Sequence, residues 1–256
     1  MPLDLLTAAT PADPVLDVAL SHALLADVAA GRRPPTLRVF RPGRAVAFGR
    51  LDALRPGFAR ACGVAAGRGR TPMVRNVGGH AAVLDSGCLV VEEIGFERDV
   101  TAGLQARFAG QSRRLRDALA SLGADAGVGE LPGEYCPGAH SIHVDGRLKV
   151  VGIAQRAIRH GALVSAVVVV AGGARLRADV EAVYAALGLE VAAGTAGSLD
   201  EALPRVTVEA VAARVLAAYA GGGALVAREL DAELEAAASA LAPTHRAPPD
   251  SVPAMS

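Results

Sequence analysis

The chain has 256 residues, of which 52% are hydrophobic, enough for a packed core that needs no disulfide bonds. Its 26 basic and 26 acidic residues cancel, which excludes a broad cationic surface of the kind that holds nucleic acid or an anionic membrane. We therefore expect no nucleic-acid partner and no membrane partner, and a small molecule or a protein instead.

The N-terminus and the cysteines indicate a cytoplasmic protein. Residues Met1 to Asp4 lack the basic residues of a secretory signal, and no apolar run approaches the roughly 20 residues of a membrane span. Cys62, Cys88 and Cys136 form no closely spaced pair and leave one thiol over in any disulfide scheme. An odd, scattered set of cysteines fits a reducing compartment.

The first half of the chain mixes helical and strand patterns. Apolar residues at helical spacing follow Pro11, and short Val-rich or Leu-rich runs bounded by Pro and Gly are typical of strands. Gly78 and Gly79 interrupt one of these runs. The predicted elements are a helix over 13–30, strands over 37–40, 45–48, 74–84 and 89–94, and a helix over 105–122.

The second half begins with strands and ends with helices. Asp145 and Gly146 both tolerate positive φ, so they predict a hairpin turn between two strands. The predicted elements are strands over 141–144, 149–155 and 162–171, then helices over 178–187, 208–219 and 226–241. This order indicates an α+β fold with a mixed or mainly antiparallel sheet flanked by helices. We expect one domain over residues 1–242 and a disordered, proline-rich tail over 243–256.

Lys149 is the only lysine in the chain and Asn76 the only asparagine. The fork of an arginine cannot replace a compact ammonium that must reach one oxygen in a tight pocket, so a lysine kept among arginines suggests a function. The alternative is chance, because a single lysine must fall somewhere. Both residues lie in the two segments that look most like an active site, which favours function.

The first of these segments runs over residues 75–87 and contains Gly78 and Gly79. Adjacent glycines inside a strand remove side chains from one patch of backbone, which lets a ligand lie against the sheet. A bulge or a tight turn explains the same pair of glycines, so the pattern alone leaves both interpretations open.

The second segment runs over residues 133–138 and 146–155. Cys136 stands next to Pro137, so it lies in a loop with an accessible sulfur. If the hairpin brings Lys149 near this loop, the ammonium favours the thiolate that acts as a nucleophile. A buried structural cysteine is the alternative, and Cys62 and Cys88 are weaker candidates for a nucleophile.

The histidines and one arginine-rich loop carry weaker signals. His140 and His143 follow Cys136 at spacings that suggest a metal, but too few ligands cluster, and we predict no metal site. His80 and His160 each stand beside a glycine. The sequence leaves open whether either is a general base or a turn residue. Gly67 to Arg70 fits a mobile loop better than a phosphate site, because the spacing of a phosphate-binding loop is missing.

Taken together, the two segments resemble the superfamily of biotin/lipoate protein ligases and lipoyl/octanoyl transferases. Arg75 with Gly78 and Gly79, followed by Asp85, is similar to its acyl-binding motif, and residues 149–155 are similar to its lysine-containing strand. Residues 134–138 and 82–87 most resemble the branch of octanoyl-H-protein:protein amidotransferases. The likeness covers about residues 37–170.

The resemblance implies an acyltransferase of protein lipoylation with the catalytic-domain fold of that superfamily. Cys136 would carry the acyl thioester and Lys149 would contact the acyl carbonyl, with no separate cofactor. The implied acyl-binding residues are Arg75, Asn76, Gly78, Gly79, His80 and Gly152.

The implied partners are lipoyl-domain proteins, namely the glycine-cleavage H protein and dihydrolipoyl acyltransferase subunits, and acyl carrier protein as an alternative donor. Two positions depart from the family pattern. His80 stands where a third glycine or an apolar residue is frequent, and the chain from Gly146 to Lys149 is one residue longer than usual.

Three other functions remain open. In the first, the same cysteine nucleophile accepts octanoyl from acyl carrier protein. The second is an ATP-dependent lipoate ligase, against which the Leu84-Asp85 pair in place of His-Asp argues. The third is a module that binds acyl groups or lipoyl domains without turnover.

Overall fold

The computed structural model describes residues 2–7 and 13–247, and it confirms the α+β class. Six α-helices are found in this part of the chain, and four short 3-10 turns separate some of the elements. The helices are α1 (Pro14–Ala29), α2 (Phe58–Gly67), α3 (Leu104–Ala120), α4 (Gly173–Leu187), α5 (Val208–Ala220) and α6 (Ala232–Leu241).

The strands form two sheets. The large sheet has eight strands in the order β11-β1-β2-β6-β10-β9-β8-β7, and the small sheet has three in the order β4-β3-β5. The strands are β1 (Leu3–Leu6), β2 (Thr36–Phe40), β3 (Ala45–Phe48), β4 (Thr71–Val74), β5 (Ala82–Leu84), β6 (Cys88–Phe96), β7 (Ala126–Val128), β8 (Ile142–Val144), β9 (Leu148–Ile158), β10 (Gly161–Val169) and β11 (Leu225–Arg228). Neighbouring strands are antiparallel along β2-β6-β10-β9-β8-β7 and parallel along β11-β1-β2. The prediction of a mixed sheet is therefore confirmed.

The predicted first helix begins where its sequence predicts. The Asp13 carboxylate accepts a hydrogen bond from the Val15 N–H at 3.0 Å, and Pro14 takes the first helical position. A proline there sacrifices no hydrogen bond, because the first N–H groups of a helix have no acceptor within it. This helix packs against β6 and β10.

The hairpin between β8 and β9 also confirms the prediction. Asp145 and Gly146 have φ values of 53° and 64°, in the left-handed region that tight hairpins require. His143 pairs with Lys149, but Ile142 pairs with Val151, so the register slips by one residue. The segment from Gly146 to Lys149, which is one residue longer than the family pattern, is therefore followed by a β-bulge immediately after Lys149.

Several elements differ from the predictions. The helix predicted over 226–241 is wrong at its start, because Leu225–Arg228 pair in parallel with β1 and Asp231 caps a later helix. The strands β1 and β7 and the helix α2 are not among the predicted elements, and the strand predicted over 74–84 is divided between the end of β4 and β5. Residues 243–247, which it assigns to a tail, are ordered: Ala242–His245 form a 3-10 turn and His245 is buried. The rest of that predicted tail, 248–256, lies outside the described residues.

Three apolar clusters pack around the two sheets. One lies between the large sheet and α3 with α5, and a second lies between the opposite face of that sheet and α1 with α6. The third joins the small sheet to α2 and α4. The functional site described below lies where β4, β5, β9 and the loop before β8 approach one another.

Candidate active site

Cys136 occupies a strained position in the loop between β7 and β8. Its φ is 43°, although it is not a glycine, and the residue is half-buried. A left-handed conformation costs an ordinary residue about 1–2 kcal/mol, so the surrounding bonds must impose it. Pro137 restricts the backbone further at this point. The loop is therefore held in one shape with a thiol at its tip.

The bonds that impose this shape come from Lys149. Its ammonium donates to Glu134 Oε1 at 2.8 Å, to the Tyr135 carbonyl at 2.9 Å and to the Cys136 carbonyl at 2.8 Å. The lysine is 1% exposed, so these three acceptors take all three of its N–H groups away from water. Lys149 thus lies next to the nucleophile loop, as the hairpin predicts, and holds the carbonyl of the cysteine itself.

Glu134 holds the Cys136 loop together, a role that the sequence motif over residues 134–138 does not predict. Its buried carboxylate accepts the Lys149 bond and three more, from the Leu131 N–H at 3.0 Å, the Gly138 N–H at 3.2 Å and the Ser141 hydroxyl at 2.6 Å. These bonds close the loop on both sides of Cys136. The signal that reveals this role is a lone acid inside a turn of Gly and Pro, where backbone donors need an acceptor.

Donors surround the thiol. The His80 N–H points at Cys136 Sγ at 3.2 Å, and Arg75 Nη2 lies 3.6 Å from the same sulfur. The same Arg75 nitrogen also donates to the His80 carbonyl at 2.6 Å, which fixes its position. A cation and an N–H directed at a sulfur are placed to stabilise negative charge that develops on it during a reaction. Arg75 and His80 thus support a nucleophile, whereas the implied role of both was to bind the acyl chain.

Gly79 makes this close approach possible. Its φ is 88°, and a Cβ there would lie 2.6 Å from Cys136 Sγ and 2.7 Å from Arg75 Nη2. Gly79→Ala should therefore displace the sulfur and lower the rate of acyl transfer by roughly 10²-fold, as small misplacements of reacting groups do. Gly78→Ala is the matched control, because a Cβ at that exposed position would come no nearer than 3.9 Å to the Gln155 carbonyl. Equal rates for the two variants would contradict this account.

An apolar cavity begins at Arg75 and Asn76. Its walls come from α1, β3, β5, β6 and β10, and they include Val77, Leu84, Val90 and Val167. Arg75 Nε and Asn76 Nδ2 are buried donors with no hydrogen-bond partner in the described chain. Unpaired buried donors are costly, and they point to a ligand acceptor at this end of the cavity. Apolar walls with two free donors at one end suit an acyl chain and its carbonyl oxygen.

The other end of this cavity is polar. Asp17, Ser21 and Glu92 line it, and Arg38 beneath them donates to Asp17 Oδ1 at 2.5 Å. Burial raises the pKa of Asp17 to about 6, although the Arg38 guanidinium opposes this shift. A second oxygen of the same carboxyl, Oδ2, has no partner among the described residues. The far end of the cavity thus carries a carboxyl that binds a proton more readily than usual.

The remaining predicted glycines lie near the site but not in the walls of this cavity. Gly78 donates its N–H to the Gln155 carbonyl at 3.3 Å, which ties the glycine segment to β9. A Cβ at Gly152 would lie 3.7 Å from Lys149 Cε, an ordinary contact, so nothing in the geometry demands glycine there. Contact of Gly78, Gly79, His80 and Gly152 with an acyl chain stays a prediction.

The other two cysteines are buried in the apolar core around α2 and β6. Burial raises the pKa of both the Cys62 thiol and the Cys88 thiol to about 12. A thiol that holds its proton so tightly is a poor nucleophile at neutral pH. Of the three cysteines, Cys136 alone is partly exposed, and it stays the predicted nucleophile.

The histidines and the arginine-rich loop that carried weaker sequence signals make packing contacts and ion pairs. The ring of His140 stacks on Phe108 at 5.1 Å, and His160 is a turn residue with φ of 65° whose ring stacks on Phe96. Arg70, at the end of the arginine-rich loop, is fully buried and pairs with Asp179 and Asp85. The interpretation of that loop as mobile is therefore wrong, because two buried carboxylates hold it.

The described residues contain no group of three or more His, Cys, Asp or Glu side chains that could hold a metal ion. In the same part of the chain, no helix combines the length and the apolar character needed to cross a bilayer.

The comparisons with known proteins agree with this geometry. Residues 13–220 match the family described as Lipoyl protein ligase A/B catalytic domain. The chain belongs to this family. A relative in Exiguobacterium sibiricum, octanoyl-GcvH:protein N-octanoyltransferase, is 31% identical over 74% of the chain and 73% of its own length. A protein of the same name in Geobacillus kaustophilus is 33% identical, and the chain spans only 56% of its length.

Solved structures show the same fold. A protein from T. acidophilum, solved with bound lipoic acid, superimposes with a TM-score of 0.77 at 20% identity over 95% of this chain and 96% of its own. A lipoate-protein ligase A bound with ATP gives a TM-score of 0.73 at 19% identity over 95% of both chains. At these identities the likeness concerns the fold, which is the lipoate-ligase type that the motifs predict.

Proposed function

We propose that this protein is a cysteine-dependent acyltransferase of protein lipoylation. It takes an octanoyl or lipoyl group from a lysine of the glycine-cleavage H protein and passes it to a lysine of another lipoyl domain. The observation that carries the proposal is the Cys136 thiol, which lies beside the Arg75 guanidinium while Arg75 also lines the apolar cavity. The two relatives named octanoyl-GcvH:protein N-octanoyltransferase support H protein as the donor.

The chemistry has two steps. The Cys136 thiolate attacks the carbonyl carbon of the donor amide, a C–S bond forms, and the C–N bond breaks to release the donor lysine as an amine. The acceptor lysine then attacks the thioester, a C–N bond forms, and the thiolate leaves. One amide replaces another, so the net free energy is near zero and the reaction needs neither ATP nor a cofactor.

Both steps place negative charge on the acyl oxygen. The unpaired donors Arg75 Nε and Asn76 Nδ2 are available to that oxygen, whereas the N–H groups of Lys149 already have acceptors. A well-placed donor in such an oxyanion hole stabilises the transition state by about 3–4 kcal/mol. We therefore assign oxyanion stabilisation to Arg75 and Asn76, and Lys149 to the shape of the loop.

A transfer assay with separate donors tests the function. The protein is mixed with an unmodified lipoyl domain and, in parallel, with octanoylated H protein, with octanoyl-acyl carrier protein, or with free lipoate and ATP. Mass spectrometry of the lipoyl domain should show acylation with octanoylated H protein and no ATP. Transfer from acyl carrier protein alone would correct the donor, and acylation that requires ATP would replace the proposal with a ligase. Binding of the lipoyl domain without acylation in any arm would indicate a non-catalytic module.

A further inference from the structure

A second cavity, of about 230 Å³, adjoins the nucleophile loop. Its walls include His80 and Pro137, together with the exposed carboxylates of Glu130 and Glu190. We call it the acidic cleft. It shares no lining residue with the apolar cavity at Arg75, so the two cavities are separate. Carboxylates at one of them attract a cationic group.

His80 is fixed in this cleft by a buried acid. Its Nδ1 lies 2.7 Å from Asp52 Oδ1, and Asp52 is 0% exposed. The other carboxylate oxygen of Asp52 accepts the Gly49 N–H at 2.9 Å, so the acid itself cannot turn away. The tautomer that fits this contact carries its proton on Nδ1 and its lone pair on Nε2. The described residues offer Nε2 no partner, and the His80 side chain is 31% exposed.

The backbone brings this imidazole to the nucleophile. The N–H of His80 itself donates to Cys136 Sγ at 3.2 Å, so the residue that carries the imidazole is in direct contact with the sulfur. A base next to a nucleophile, held in turn by a buried acid, is the arrangement that proton transfer in acyl exchange requires. The acyl chemistry needs such a base, because a lysine is an unreactive ammonium at neutral pH.

We infer that the acidic cleft is the site for the lysine amines that enter and leave, and that His80, positioned by Asp52, is their general acid and base. This inference rests on the proposed function. In the first step, His80 Nε2 takes the thiol proton of Cys136 and returns it to the nitrogen of the departing lysine as the C–N bond breaks. In the second step, the acceptor ammonium first gives one proton to the solvent, which balances the proton that the released donor amine takes up. Nε2 then takes a second proton from the attacking amine and returns it to the sulfur as the C–S bond breaks. Glu130 and Glu190 hold the ammonium form of either lysine at the mouth.

The decisive experiment separates the amine step from the rest. Octanoyl-enzyme is prepared, desalted and mixed with a lipoyl domain or with hydroxylamine, which is already unprotonated at neutral pH and needs no base. We expect His80→Ala to slow transfer to the lipoyl domain by about 10²–10⁴-fold, the usual contribution of a general base. Its reaction with hydroxylamine should stay within a few-fold of the original chain, and added imidazole should restore part of the lysine reaction.

Two further variants sharpen the test. Asp52→Asn keeps an oxygen for the Gly49 N–H but removes the charge that orients the imidazole, so it should reproduce the defect with lysine only. His160→Gln replaces a histidine outside both cavities and serves as the control. Glu130→Gln with Glu190→Gln should raise the KM for the lipoyl domain more than it lowers kcat, and an unchanged KM would overturn the role of the carboxylates.

Different results would overturn the assignment of His80 and the proposed function. Equal losses with lysine and hydroxylamine, or transfer to lysine at the original rate by His80→Ala, would overturn the assignment of His80. Failure of the original chain to form any octanoyl-enzyme from octanoylated H protein would instead overturn the proposed function. The two failures are distinguishable because the second precedes any reaction with an acceptor.

Discussion

Replacement of Cys136 by Ser should abolish acyl transfer, with a loss of about 10⁴-fold or more, as for other covalent nucleophiles. A hydroxyl holds its proton far more tightly than a thiol, and Arg75 with the His80 N–H stabilises an anion only after that proton has left. Cys136 is half-buried and packs against the third apolar cluster, but Ser has nearly the same shape as Cys, so the change opens no cavity. Thermal unfolding should therefore be unchanged while transfer from octanoylated H protein is lost.

Cys62→Ala is the matched control for this experiment. Burial raises the pKa of the Cys62 thiol, so this cysteine takes no part in the chemistry, and its loss should leave the transfer rate within a few-fold of the original. Transfer by Cys136→Ser at more than a small fraction of the original rate would contradict a thioester intermediate. A different nucleophile would then have to attack the acyl carbonyl.

The second large effect concerns the buried pair of Lys149 and Glu134. Lys149→Met should lower the free energy of unfolding by about 3–5 kcal/mol, because it leaves the Glu134 carboxylate buried without its cation. It also releases the carbonyls of Tyr135 and Cys136, so the left-handed conformation at Cys136 loses its support and transfer should fall with stability. Urea unfolding and the transfer assay measure the two losses side by side.

Two companion variants separate charge from geometry. Lys149→Met combined with Glu134→Gln removes both charges, and it should recover much of the stability but not the activity. Lys149→Arg keeps the charge, yet a guanidinium fork does not fit three acceptors around a side chain that is 1% exposed, so activity should remain low. A lysine that acts only on the acyl carbonyl would behave differently, because its loss would lower the rate while the stability stayed unchanged.

The sequence predicts the hairpin that carries Lys149 better than it predicts the edges of the fold. Asp145 and Gly146 specify their turn locally through positive φ, and the hairpin therefore carries Lys149 to the Cys136 loop as expected. The strand β11 is different. Residues 225–228 lie beside a helix-forming stretch, and only pairing with β1, more than two hundred residues away, makes them a strand. Local propensity does not contain that information.

The same limit applies to the site residues. Glu134 is recognisable only as an acid inside a turn of Gly and Pro, and Asp52 acts through a contact with His80 that sequence spacing does not indicate. His80 illustrates an ambiguity that only geometry resolves, since a histidine beside glycine fits a turn as well as a base. The contact of its N–H with Cys136 and of its ring with Asp52 distinguishes it from His160, which lies in a turn.

The most direct test of the central claim is the intact mass of the protein after incubation with octanoylated H protein in the absence of ATP. The account predicts one added octanoyl group, located on the peptide that contains Cys136, removed by hydroxylamine and absent from Cys136→Ser. The adduct should also disappear when an unmodified lipoyl domain is added, as that domain gains the same group. Acylation of the lipoyl domain with no such adduct, or an adduct that persists in Cys136→Ser, would contradict the account.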